Sequence, residues 1–271
     1  MKTPRELSID IKLIDMVEAF GLSGKAMEGL KIMLASEEIQ ATQEFANTVS
    51  IVRLGFNDHG PVHMRTVTHN AVVMMELLRN AGIKTTLEDN NCGDFEDSLL
   101  AVMMGTMLHD IGMGMGRQNH EHHSTFLAMP IIDSILEKVY NDDWHKKVMI
   151  RSVALEGIAG HMGTIAISSL EAGIVQVADG CDMTKGRARI PIALQGAPRA
   201  GHIHQFSANS IEEVRISKGI ENPIHIDVIM SSEVGLFQVE EVLMHKISES
   251  TAKQHIELYA QVGDRAAKRY L

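Results

Sequence analysis

An adjacent histidine and aspartate, His109-Asp110, closes an apolar run and is followed at once by Ile111-Gly112. Side by side, the pair offers one imidazole nitrogen and one carboxylate to a single cation. That mixed N/O set suits Fe, Mn, Zn or Mg rather than a thiolate-loving metal. His63 and the aspartate of Val177-Ala178-Asp179 supply further groups of the same kinds. Nitrogen and oxygen ligands from separate helices, with a carboxylate able to bridge, make a hard-to-borderline cation site that can keep an open position for water. The separations are too long for a linear motif, so the fold has to bring the four residues together.

The elements that must do so are helical up to about residue 200. Apolar residues at helical spacing from Ile11 to Phe20 end at Gly21, a second helix is expected over Lys25 to Leu34, and Ser36-Glu37-Glu38 opens a third that runs to about Arg53. Gly55 to Pro61 reads as a loop, with Pro61 suited to a first helical turn because its missing N–H has no partner there anyway. The helix from Pro61 to about Ala81 then carries His63, Val67 and Ala71 at i, i+4 and i+8, which puts the histidine on the inward face. Asp94 to His109 is expected as a buried helix presenting the His-Asp pair at its end. Helices over His120 to Val139, Asp142 to Gly157 and Ser168 to Cys181 follow, with His161 in a short connector.

After Pro191 the pattern changes. A linker-like Gly/Ala/Pro run precedes two alternating segments, Ile211 to Ser217 and Ile224 to Met230, then helical spacing over Phe237 to Ile247 and one more strand over His255 to Val262. The expected architecture is mainly α, in three parts. Residues 1–54 are helices packing on the core, residues 55–195 the metal-binding helical domain, and residues 196–271 a small α+β unit. An exposed strand edge and the Phe237 to Ile247 helix offer surfaces for self-association, so a homo-oligomer is an open possibility.

Composition narrows the function classes. With 271 residues and 45% apolar content the chain can bury a substantial core. Two cysteines, Cys92 and Cys181, support neither a disulfide framework nor a Cys-based zinc site, which fits a reducing cytoplasm. No stretch approaches the ~20 apolar residues of a membrane span, so no membrane partner is expected. A formal charge of −10 argues against broad nucleic-acid binding. The 18 methionines mostly sit at helical spacing, as adaptable core filler would.

Cations near the ligand candidates point to an anionic substrate. Lys185, Arg187 and Arg189 follow Asp179 within one short segment, and guanidinium forks match phosphate; a solvated basic loop accounts for the same letters equally well. Asp58, in Asn57-Asp58-His59-Gly60 just before His63, is a candidate to orient water or protonate a leaving group, or simply a turn former.

The segments around His63 to Ala71, Leu108-His109-Asp110-Ile111-Gly112 and Val177-Ala178-Asp179, in this order, resemble the HD-domain superfamily of metal-dependent phosphohydrolases over about residues 55–190. The resemblance implies an all-helical core in which His63, His109, Asp110 and Asp179 hold a divalent metal. His120 and His161 look like the extra ligands of the subset with a second metal, with Asp110 bridging and serving catalysis. One or two ions are implied, whether Mn, Fe, Mg, Zn or Ni. The implied reaction is hydrolysis of a phosphate ester or phosphoanhydride by metal-activated water, on a small phosphorylated, nucleotide-like substrate. Two departures matter. The Gly-Tyr-Pro signature of members that degrade cyclic di-GMP is absent, and the usual lysine after His-Asp-Ile-Gly is Met113, for which Arg117 is the nearest substitute. A non-catalytic metal- and nucleotide-binding regulatory module is the alternative, and oxygenation at a di-iron centre a third reading.

Overall fold

The computed structural model describes residues 2–187 and 203–271. The helical body is built around one element. Helix α6 (Phe95–Leu108) has every one of its residues buried, and α2 (Lys25–Ala35), α4 (Pro61–Asn80), α8 (Trp144–Gly160) and α9 (Leu170–Cys181) pack around it. A helix apolar on all sides has no solvent face and can only be central. Around this group lie α1 (Pro4–Ala19), α3 (Glu37–Thr48), the single-turn α5 (Thr86–Asp89) and α7 (His120–Tyr140).

The helix starts follow capping chemistry. Thr3, Ser36, Asp94 and Ser169 each accept a hydrogen bond from a first-turn N–H, and Asp94 and Asp97 form a reciprocal box at the head of α6. Glu96 serves a neighbouring helix instead. Its carboxylate accepts from the N–H groups of Ser23, Gly24 and Ala26, so the first turn of α2 is satisfied by a side chain of α6. The third helix stops short of Arg53. Val49–Arg53 is a wider π turn, and it lets Ser50 bond the loop, its carbonyl accepting from Phe56 N–H and its hydroxyl donating to Asn57 O.

The C-terminal part opens with α10 (Ile203–Ser210), between the linker-like run and the first expected strand, and continues as a four-stranded sheet in the order β1 (Ile211–Lys218), β2 (Ile224–Met230), β3 (Ile256–Val262), β4 (Lys268–Arg269). β1 and β2 form an antiparallel hairpin; β2 and β3 are parallel. A parallel pair needs a crossover. Here that crossover is the π turn Gln238–Leu243 leading into α11 (Met244–Glu249). Ile224, Ile226, Val228 and Met230 of β2 and Leu258 of β3 share one hydrophobic core with Val239, Leu243 and Ile247 of the crossover and with the helical body. The expected boundary at residue 196 lies outside the described residues; the helical body and the sheet on either side share one hydrophobic core. Among the described residues, no helix is long and apolar enough to cross a membrane.

Replacing Glu96 by Ala leaves three N–H groups at the start of α2 without their carboxylate. The expected cost is about 1–3 kcal/mol, read as a lower midpoint in chemical denaturation; an unchanged midpoint would show that solvent replaces the carboxylate.

Candidate metal centre

Helix termini converge on one buried point. His63 stands in the first turn of α4, His109 caps the end of α6, Asp110 follows it, His120 opens α7, His161 caps the end of α8, and Asp179 lies in the last turn of α9. All six are buried. One oxygen of Asp110, Oδ2, faces His63 Nε2 at 3.2 Å and His109 Nε2 at 3.3 Å, while Oδ1 faces His120 Nε2 at 3.0 Å and His161 Nε2 at 3.5 Å. Asp179 Oδ1 completes the first group, 3.3 Å from His63 and 3.6 Å from His109. The donor atoms form overlapping sets within 4.8 Å of one another, so these residues can hold a metal ion.

The second ring nitrogen of each imidazole decides how the first one points. His109 Nδ1 pairs with Thr106 O at 2.8 Å, His120 Nδ1 with Arg117 O at 3.0 Å, His161 Nδ1 with Ile158 O at 2.7 Å, and His63 Nδ1 with Asp182 at 2.7 Å. Carbonyl and carboxylate oxygens only accept, so each Nδ1 carries the proton and each neutral ring aims the Nε2 lone pair inward. His63 and His109 then meet Nε2 to Nε2 at 3.1 Å, and His120 and His161 at 3.2 Å. Two lone pairs at that separation need a cation between or beside them, and the donor set suits a divalent ion of borderline hardness.

Without an ion, a proton takes that part. Burial and the Arg187 guanidinium oppose a charged His63, but hydrogen bonds to Asp110, Asp179 and Asp182 outweigh them and raise it to about 10. Burial pushes His161 the other way, down to about 4. Asp179 would be raised by its burial, yet the Lys246 ammonium and the two histidines hold it well below the usual carboxylate range.

A close approach fixes the second half of the site. A Cβ on Gly112 would lie 2.1 Å from His120 O and 2.5 Å from Ser124 N, and the Gly112 N–H donates to Ser124 Oγ at 2.8 Å. Only glycine lets the start of α7 press on the turn after Asp110 and bring His120 to the carboxylate.

The centre opens into a cavity of about 450 Å³, lined in part by Phe56, Met162 and Met183 and reached by Arg117, Arg187 and Lys246. Arg187 is anchored, donating from Nε to Asp58 O and from Nη1 to Asp182 O. Arg117 reaches His120, Nη1 lying 3.5 Å from Nε2. Lys185 is exposed and outside the cavity lining, and Arg189 lies outside the described residues. Asp58 is buried with its carboxylate accepting from Gly60 N–H at 2.8 Å, the turn-forming arrangement, and it is not among the cavity residues. His59 does line the cavity, but among the described residues neither it nor His69, His122 or His123 belongs to the donor set.

Two residues were not foreseen. Asp182 stands three positions after Asp179, in the same Asp-Gly-Cys-Asp run, so its spacing was visible. Lys246 had no such signal. Its ammonium bonds Asp179 Oδ2 and His161 O from the crossover helix of the C-terminal sheet.

The chain is 40% identical over 230 residues to the uncharacterized protein MJ1020 of Methanocaldococcus jannaschii, a match that takes in 85% of this chain and 86% of the relative. The chain belongs to the MJ1020 family. No family model matches it, and no solved structure does. The MJ1020 family thus has in this chain a helical fold with a buried His/Asp cluster that can hold metal.

Two outcomes are expected of the metal-free protein. Between about pH 7 and 9 His63 is protonated in the ion-free form and must be neutral to act as a ligand. Metal uptake therefore releases protons, and apparent affinity rises with pH until about 10, where His63 has already lost its proton. Titration calorimetry in buffers of different ionisation enthalpy measures the release; none would mean that the His63 side takes no ion. Gly112→Ala forces α7 off the turn, and elemental analysis should find metal lost from the His120 and His161 half first.

Proposed function

We propose that this chain is a metal-dependent phosphohydrolase of the HD type, cleaving a phosphate ester or phosphoanhydride in a small, nucleotide-like substrate. The observation that carries the reading is the division of one carboxylate. Asp110 gives each oxygen to a different pair of imidazoles, with a cation-lined cavity directly above. A carboxylate shared in this way suits two divalent ions, held by His63, His109, Asp110 and Asp179 on one side and by Asp110, His120 and His161 on the other. When bound, such a pair acidifies a water and neutralises phosphoryl charge.

The protein's own groups do the rest. Asp182 fixes the His63 ring by accepting a hydrogen bond from its Nδ1–H, and main-chain carbonyls fix the other three rings. Arg187, held by the carbonyls of Asp58 and Asp182, presents the remainder of its guanidinium to the cavity as a rigid fork for phosphate oxygens, and Arg117 approaches from the His120 side. Phe56, Met162, Met183 and Val242 offer an apolar wall for the remainder of the substrate, with Gln238 and Glu241 as polar partners beside it. A cavity of about 450 Å³ with that lining suits a mononucleotide-sized molecule better than a polymer.

Protein purified without chelator should carry close to two equivalents of divalent metal and release phosphate or a phosphomonoester from a panel of nucleotides and phosphodiesters in Mn²⁺. His161→Ala should bring the metal toward one equivalent and lower turnover by more than the roughly 10–100-fold typical of losing an outer partner. A metal-loaded protein that cleaves nothing in the panel would overturn the hydrolase reading. Oxygen consumption by an iron-loaded sample would replace it with oxidative chemistry.

A further inference from the structure

The position after His109-Asp110-Ile111-Gly112 holds Met113, which is fully buried, so this turn brings no cation to the centre. A cation arrives from elsewhere in the chain. Lys246 of α11, 67 residues beyond Asp179, is only 6% exposed. Its ammonium bonds Asp179 Oδ2 and, at 2.8 Å, the main-chain oxygen of His161, touching a ligand-bearing residue from each half of the centre. Gly180 makes room for it, since a Cβ there would stand 3.0 Å from Leu243 Cδ1 and 3.2 Å from Lys246 Cδ.

An ammonium has three N–H donors. Two are engaged by Asp179 and His161, the third has no acceptor among the described residues, and Lys246 lines the cavity over the centre. Neutralising Asp179 accounts for the first bond and not for a spare donor on a buried, strongly hydrated cation beside a cavity. We propose that Lys246, supplied by the C-terminal unit, is a catalytic residue whose third donor binds a non-bridging phosphoryl oxygen of the substrate. This rests on the phosphohydrolase reading and makes the C-terminal unit part of the active site. No covalent step is involved; Lys246 acts through charge and a hydrogen bond.

The test uses full-length protein at saturating Mn²⁺, with inorganic phosphate as the probe, comparing the parent with Lys246→Met and Lys246→Arg. Expected is retained metal and a phosphate Kd weakened about tenfold or more in Lys246→Met, with part of the affinity regained in Lys246→Arg. A Lys246→Met protein that binds phosphate within twofold of the parent overturns the proposal and leaves Lys246 only as a partner of Asp179. Should Lys246→Met fail to fold, Lys246→Gln keeps donors for Asp179 and His161 O without the charge and is read by the same criteria. A parent protein that binds and cleaves no phosphate compound brings down the phosphohydrolase reading as well, which separates the two failures.

Discussion

The buried Asp110 carboxylate is the constraint to which the rest of the molecule answers. An ionised carboxylate away from water is tolerable only with opposite charge and hydrogen-bond donors around it. Asp110 is held well below the usual carboxylate range, its burial outweighed by the imidazoles of His109, His59 and His120. Four ring nitrogens reach its two oxygens from four segments, so the ends of α4, α6, α7 and α8 must coincide within a few ångströms. This explains the central place of α6, which ends at this point, and the need for glycine at position 112, where the chain leaves again.

The convergence rests on a repeated local device. The last carbonyls of a helix lack an N–H partner from the next turn. At the ends of α6 and α8 those oxygens, on Thr106 and Ile158, lie beside the Nδ1 of the histidine three residues on, and Arg117 O does the same for His120 just before α7. One bond thereby engages a main-chain carbonyl and sets the ring's tautomer. His63, in the first turn of α4, takes its Nδ1 partner from another segment instead, the Asp182 carboxylate.

Much of this was legible in the residues. The 3.6-residue period located the long helices, Ser36 and Asp94 marked two starts, and the inward face of His63, Val67 and Ala71 holds, since all three are buried. The strand alternation at 211–217 and 224–230 was equally plain, because one face of each strand meets a core. Long-range partners were not legible. The turn over Val49–Arg53 is widened by bonds to residues in the next loop, which no local pattern records. The letters around Asp58 fit a chemical group and a turn former equally well, and its carboxylate closes a turn with Gly60. Lys246 carries no local signal, because its burial depends on the way a β-α-β crossover settles on α9.

That junction makes the C-terminal unit more than an appendage. α9 carries Asp179 and Asp182 at one end, while nearer its start Gly173 lies so close to the chain after α11 that a Cβ would meet Thr251 Oγ1 at 2.3 Å, and Thr251 and Ser250 donate to the carbonyls of Ser169 and Gly173. The same helix thus presents a candidate ligand to the centre and a flat face to the crossover. Separating the two would strand Lys246 and Asp179, each buried and each the other's compensating charge, and breaking such a pair leaves an uncompensated ion in a dry setting. The cost of that separation ties the integrity of the candidate centre to the docking of a sheet whose strands contribute none of its six ligand residues.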